Sequence, residues 1–414
     1  MDARERLLRL GYLKQASSIA PTDPSARHEP RGATVERDQV RSRPDGVTVQ
    51  SRVHPLDHIH AAITLSDALA HRGEQLAILS GDERFRRVDP ARLAILDCET
   101  TGLSGGTGTL AFLLGVGTFA EGGFRIDQIV VDDPAEERAA LQQFAAILKG
   151  KDAIVSFNGK TFDWPLLEMR FLYHRLDDWP RAPLHCDLLF PARRIFRRRL
   201  GGCALQRLES AVLGLADRDD DIPGWAIPGR YFQYLRSRDR SALEPILAHN
   251  AQDILTLTAL LVRLGRAVGN PPAPDEHDPC DLVSVAGVLE DAGHTDRALF
   301  CLERARAHPG FDDDGLRARA ALLYRRLDRR DRAVAIWESL AEAGALSLEP
   351  YVELAKRAEH RLRDYALASD LTQRALGVLP RIAAHLPAFE RQRVREGLEH
   401  RLERVHRRIA RRTL

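Results

Sequence analysis

The sequence predicts a mixed α/β domain followed by an all-α helical-repeat domain, and three observations lead there. Short apolar runs separated by turn signals, with one amphipathic stretch among them, occupy residues 93–156. The run GNPPAPDEHDP at 269–279, with four prolines and three acids, then interrupts the chain as a linker. Beyond it, alanines recur at a fixed interval.

The 414 residues, 44% of them hydrophobic, suffice for two or more buried cores. Lys and Arg total 61 against 59 Asp and Glu, so attraction to a polyanion must come from local clustering of charge. Five cysteines, odd in number and without a CxxC pair, argue against a disulfide framework and a zinc ribbon. A reducing compartment fits them. No apolar run reaches the roughly 18 to 20 residues of a membrane span, and the N-terminal MDARERLLRLGYLKQ has no signal-peptide core. The expected location is the cytoplasm, with no membrane partner.

Residues 1–55 mix Arg, Pro, Ser, Asp and Gly, and are predicted to be largely disordered because they bury too little apolar surface to offset ordering entropy. The next domain is expected over 56–268. ARLAILD reads as a strand ending in an acid, and TLAFLLGVGTFAEGG with FRIDQIVVDD reads as a hairpin closed by Gly122 and Gly123. AEERAALQQFAAIL has helical spacing, and DAIVSFNG reads as a further buried strand. This order implies a mixed central sheet with helices. In 280–414, Ala298, Ala333 and Ala368 lie 35 residues apart, and Ala305, Leu340 and Ala375 follow each by seven. That period is close to the roughly 34 residues of a tetratricopeptide helix pair, although a generic helical bundle is the alternative. In the last helix Leu398, Leu402, Val405 and Ile409 form one stripe that suits a cap on the array.

The chemistry concentrates in three short motifs. Asp97 and Glu99 in LDCETTGL end a strand, and side chains two apart in an extended segment share a face. Taken alone, the pair also reads as a polar strand end. Asp163 in NGKTFDWPLL precedes Pro165 and an apolar helix, so it is either a helix cap or a rigidly placed ligand. Asn158, Gly159 and Lys160 lie in the preceding turn, where an amide and an ammonium suit phosphate or sugar groups. His249 and Asp253 in HNAQDILTL are four apart on a helix and share one face. Four hard oxygen ligands with an adjacent imidazole are what a phosphodiesterase using two Mg²⁺ or Mn²⁺ needs. Without a cation, converging carboxylates repel and at least one pKa rises.

DCETTGL, NGKTFD and HNAQD resemble the three exonuclease motifs of the DEDD superfamily, which has the RNase H-like fold. Joined to helical repeats, the chain resembles the bacterial YprB-like predicted exonucleases. The resemblance implies that Asp97, Glu99, Asp163 and Asp253 ligate the metals and that His249 takes the general-base position. It further implies that Thr100, Leu103, Asn158 and Phe162 lie near the terminal nucleotide, with 3′ to 5′ action on single strands. One departure is plain. The histidine branch places its base five residues before the last Asp and the tyrosine branch four; His249 has the tyrosine spacing.

Other features are less specific. ARRIFRRR places Arg193, Arg194, Arg197, Arg198 and Arg199 around Phe196; Arg194, Arg197 and Arg198 are expected to track a phosphate backbone while Phe196 stacks a base, or else the run is a solvated helix face. Asp217, Asp219, Asp220 and Asp221 read as a polar loop, and His54, His58 and His60 as surface histidines. Asp187 reads at most as a supporting group, and the glycines of GLSGGTGT as a place where backbone approaches substrate. The expected function is a metal-dependent exonuclease on DNA or RNA. The alternative is a nucleic-acid-binding scaffold of weak turnover whose helical repeats recruit a protein partner.

Overall fold

The structure, a computed structural model, describes residues 36–42, 47–102, 108–181, 183–216, 218, 221–269, 278–382 and 387–413. The strands are β1 (Glu36–Ser42), β2 (Thr48–His54), the short pair β3 (Ile59–His60) and β4 (Ile63–Thr64), β5 (Leu93–Thr100), β6 (Ala111–Ala120), β7 (Gly123–Val130), β8 (Ala153–Ser156) and β9 (Leu184–Asp187). Seven of them form one sheet in the order β1-β2-β7-β6-β5-β8-β9. β5 runs antiparallel to β6 and parallel to β8, so the strand carrying Asp97 and Glu99 lies where the sheet changes from antiparallel to parallel.

The expected β6–β7 hairpin is present, with Gly122 at φ +91° in its turn. At Gly123 a Cβ would stand 2.2 Å from the His54 carbonyl oxygen, so glycine is what lets β2 lie against β7. The disordered lead-in expected to residue 55 is corrected by β1 and β2, which extend the sheet beyond β7. The reason is pairing. β2 matches β7 along its whole length, and its Ser51 hydroxyl bonds Asp127 at 2.6 Å, so ladder and polar contacts stabilise a segment whose composition is poor in apolar residues. The rest of the lead-in, residues 1–35, lies outside the described residues.

The helices of this region are α1 (Gly73–Ser80), α2 (Glu137–Leu148), α3 (Asp163–Tyr173), α4 (Leu189–Leu200), α5 (Leu205–Ala211), α6 (Ile227–Ser237) and α7 (Glu244–Ala267). One core joins Ala94, Leu96 and Ile154 to Phe144, Phe171 and Tyr231 of α2, α3 and α6. A second core joins Leu93, Ile95 and Val155 to Ile254 and Leu257 of α7. Alternation along β5 thus turns odd-numbered residues toward α7, and Asp97 and Glu99 continue that face. α7 approaches closely because β6 offers glycines: a Cβ at Gly115 would stand 2.2 Å from Asn250 Oδ1, and one at Gly117 2.6 Å from Ile254 Cγ2.

The C-terminal region is all-helical: α8 (Pro279–Asp291), α9 (Thr295–Ala307), α10 (Asp314–Arg326), α11 (Arg330–Glu342), α12 (Glu349–Arg357), a π turn at Ala358–Leu362, α13 (Tyr365–Ile382) and α14 (Ala388–Thr413). Ala298, Ala333 and Ala368 fall near the starts of α9, α11 and α13 and are fully buried, as are Ala305, Leu340 and Ala375 one heptad on. The 35-residue interval is therefore one helix pair. In α14, Leu398 and Val405 are buried, and Arg401 and Arg404 pair with the fully buried Glu359 beneath it. α4 packs on α8 with Arg199 bonded to Asp281 at 2.7 Å, and the α7 core continues into α8–α13. The prolines at 271–274 lie outside the described residues.

Candidate functional site

Three elements bring the motif residues together. Asp97 and Glu99 come from the end of β5, Asp163 opens α3, and His249 and Asp253 lie on the face of α7 that crosses the sheet. Asn250 fixes the crossing: its Nδ2 donates to Asp97 Oδ2 at 2.8 Å and to the Asp97 carbonyl at 3.0 Å. Its Oδ1 accepts from Gln128 at 2.9 Å.

Asp187 at the end of β9, only 2% exposed, holds the turn before Asp163. One of its oxygens accepts the Asn158 and Leu189 backbone N–H groups at 2.7 and 3.0 Å, and the other accepts that of Lys160 at 3.1 Å. Asn158 adopts φ +66°, and at Gly159 a Cβ would stand 2.4 Å from Ser156 Oγ, so the turn is tightly folded. Thr100 bonds the Gly102 carbonyl at 2.9 Å, Lys160 is exposed, and Phe162 is about half exposed. Leu103 lies outside the described residues.

His249 is held from both sides. Its Nδ1 is 2.7 Å from Asp221 Oδ1, while Nε2 is 3.8 Å from Glu99 and 3.7 Å from Asp253. Nδ1 and the Asp221 carboxyl share a hydrogen bond, Nε2 faces the acid cluster, and against the effect of burial Asp253, Asp221 and Glu99 raise the affinity of the ring for a proton. Arg218 contacts Asp253 at 2.8 Å and Asp221 at 3.2 Å through Nη1, and the buried Glu209 through Nη2. Glu209 also accepts from Thr256, which is 3.1 Å from His60 Nε2.

These contacts revise several expectations. Asp221 belongs to the site instead of a merely polar loop; Asp217, Asp219 and Asp220 lie outside the described residues. His54 and His60 are buried, not surface residues: β2 lies between β1 and β7, and the β3–β4 pair that carries His60 packs on α7. Burial pushes the His60 imidazole down to about 4, so it is neutral. Phe196 is 1% exposed within the core and cannot stack a base. Arg194 pairs with Asp291 of α8 at 2.7 Å, and Arg198 lies 3.9 Å from Asp313 before α10, so both face the helical region; Arg197 is exposed.

Burial and mutual repulsion hold the carboxyls protonated beyond their usual range. Asp97 is raised well above it by burial, then by Asp253, Glu99 and Asp163. Burial and the neighbouring acids take Glu99 to about 7 despite His249, and burial with Asp187 takes Asp163 to about 6. Asp253 is also raised by burial, against the pull of His249 and Arg218. Such crowding of hard oxygen donors fits a divalent cation in kind and in charge. Among the described residues, though, no three His, Cys, Asp or Glu side chains stand arranged to hold a metal ion.

A pH dependence follows. A carboxyl raised in the folded chain contributes stability fully below its unfolded value and loses it as pH rises through the folded one. For Asp163 the window runs from 3.8 to about 6, and for Glu99 from 4.5 to about 7. In metal-free buffer Asp163→Asn should gain stability relative to wild type across its window, by on the order of 2 kcal/mol at its upper end. Urea unfolding of both proteins at stepped pH reads this difference, and a flat difference would refute it.

Residues 94–265, from β5 to the end of α7, match the RNase_H superfamily. Over 334 residues the chain is 30% identical to the uncharacterized protein YprB of Bacillus subtilis (strain 168), covering 78% of each chain. The chain belongs to the YprB family. Its RNase H-like domain supports a nuclease-type function, and that domain contains all four motif acids and His249. Among the described residues no helix is long and apolar enough to cross a membrane.

Sequence reading missed Asn250, Arg218 and Glu209 and undervalued Asp187 and Asp221. Only Asn250 carried a local signal, its place between His249 and Asp253.

Proposed function

We propose that this protein is a metal-dependent exonuclease that hydrolyses nucleic acid from an end, 3′ to 5′ on single strands, releasing nucleoside monophosphates. The observation that carries this reading is the convergence of Asp97, Glu99, Asp163 and Asp253 inside an RNase H-like domain, each acid at the end or on the inner face of its element. These four would hold two Mg²⁺ or Mn²⁺, whose charge, when bound, stabilises the attacking and leaving oxygens. His249 accepts the proton of the attacking water at Nε2, and Asp221 holds Nδ1 so that the ring stays aimed. Asn158 and Thr100 border the terminal nucleotide, Lys160 offers it an ammonium, and the exposed Phe162 ring is free to stack on its base. Polarity rests on the likeness to DEDD exonucleases. The helical region would recruit a protein partner, and the five unpaired cysteines suit a reducing cytoplasm.

The experiment is hydrolysis of DNA and RNA strands labelled at either end, with Mg²⁺, Mn²⁺ or EDTA. Stepwise shortening from the 3′ end that EDTA abolishes is expected. A folded protein that binds the strands but leaves them intact with either metal sinks the exonuclease. That outcome would favour the scaffold.

A further inference from the structure

We propose that the seam between α4, α8 and α10 seats one nucleotide of a single-stranded nucleic acid, with its phosphate on Arg319. The inference rests on the nucleic-acid reading above and places a second contact outside the acid cluster.

The seam forms an open cleft of about 330 Å³ to which the RNase H-like domain contributes Arg194 and the helical region contributes Ser284, Arg319 and Arg326. Arg319 is half-buried on α10, and among the described residues no carboxylate pairs with it. Among the described residues Arg319 meets Ser284 Oγ at hydrogen-bonding distance, 3.3 Å from Nη1, and that hydroxyl gives its own proton to the Cys280 carbonyl at 2.9 Å. A guanidinium has five donors and no acceptor, so most of its capacity is unspent. Burial and the charge of Arg198 both disfavour the cation, which an anion in the cleft would relieve.

The surrounding acids are already engaged. Asp291 takes Arg194 at 2.7 Å and Arg326 at 2.9 Å, Arg326 also holds Glu290, and Asp313 caps α10 through the Leu316 N–H at 2.6 Å. Arg194, Arg198 and Arg326 thus each face a carboxylate, and among the described residues Arg319 faces none. Beside it the half-buried Leu322, backed by Val288 and Leu323, forms an apolar floor. A fork of donors next to an apolar floor suits a phosphate with its sugar and base, and the volume is at the small end of ligand cavities, roughly 300 to 1,000 Å³. An acidic peptide would use the guanidinium and leave the floor uncovered.

The test is equilibrium binding of a fluorescein-labelled oligonucleotide to the full chain in EDTA, over a series of salt concentrations. Arg319→Gln should weaken binding about tenfold and lower the log–log salt slope by about 0.7, one phosphate on a single strand. Arg319→Lys, which keeps the charge, should keep the slope. Unchanged affinity and slope in Arg319→Gln overturn the proposal, as does weaker binding at unchanged slope. A poly-glutamate peptide that displaces the strand from wild type but not from Arg319→Gln makes the occupant a protein and overturns it too. So does a nucleoside monophosphate that binds as tightly as the strand. Wild type that binds no strand removes the nucleic-acid reading together with the seam; wild-type binding that Arg319→Gln leaves untouched removes the seam alone.

Discussion

Alanine at Asp97, Asp163 or Asp253 is expected to abolish metal-dependent cleavage, by on the order of 10³-fold or more, because each loses a charge that anchors a cation worth several kcal/mol of transition-state stabilisation. Stability should move differently, and that separates chemistry from folding. Asp97 and Asp163 are half-buried acids whose ionised forms are disfavoured, so replacing either removes a group that costs stability whenever it ionises in metal-free protein. Asn250 keeps its bond to the Asp97 carbonyl in Asp97→Ala. Those two variants should unfold at or above the wild-type midpoint. Asp253→Ala takes a partner from Arg218, which retains Glu209 and Asp221, and should gain less. Cleavage rates beside urea midpoints for all three decide the matter. Wild-type cleavage by any one of them, folded, would falsify the assigned set.

The second large effect is on proton transfer. His249→Ala should lower turnover by on the order of 10² to 10⁴ with Mn²⁺ affinity nearly intact. Asp221→Asn should fall between that variant and wild type, because an amide at 2.7 Å from Nδ1 holds either ring tautomer and no longer favours the one with Nε2 free. His249→Tyr should retain more activity than His249→Ala, since four residues before Asp253 is where the tyrosine branch presents its phenol. Single-turnover cleavage and Mn²⁺ titration of the set provide the readout. Undiminished turnover in His249→Ala would leave the ring a structural part, and lost Mn²⁺ binding would place it among the ligands.

Legibility followed distance along the chain. The Gly122–Gly123 turn, the strand ending at Asp97, the helix opened by Asp163 and the His249–Asp253 pair are each set by residues a few positions apart, whose spacing decides which face they share. The alanine interval was readable because each helix pair repeats the same close approach. Phe196 was misread since an aromatic ring among arginines looks alike on a solvated or a core-facing helix. Only the packing of α4 shows which side is covered.

The amino-acid sequence by itself determined the mixed sheet, the helical region and the acids that the three motifs offer, because local periodicity and turn chemistry are properties of neighbouring residues. Tertiary structure alone decided that Asn250 meets Asp97 across 153 positions, that Asp187 cradles the turn at Asn158 from 29 positions away, and that Arg218 and Asp221 brace Asp253 and His249. It also decided that Val49, in a chain segment of disordered composition, would be buried beside β7. A buried polar group takes whichever partner the fold delivers, and no spacing rule encodes a partner delivered by a sheet crossing or a returning loop.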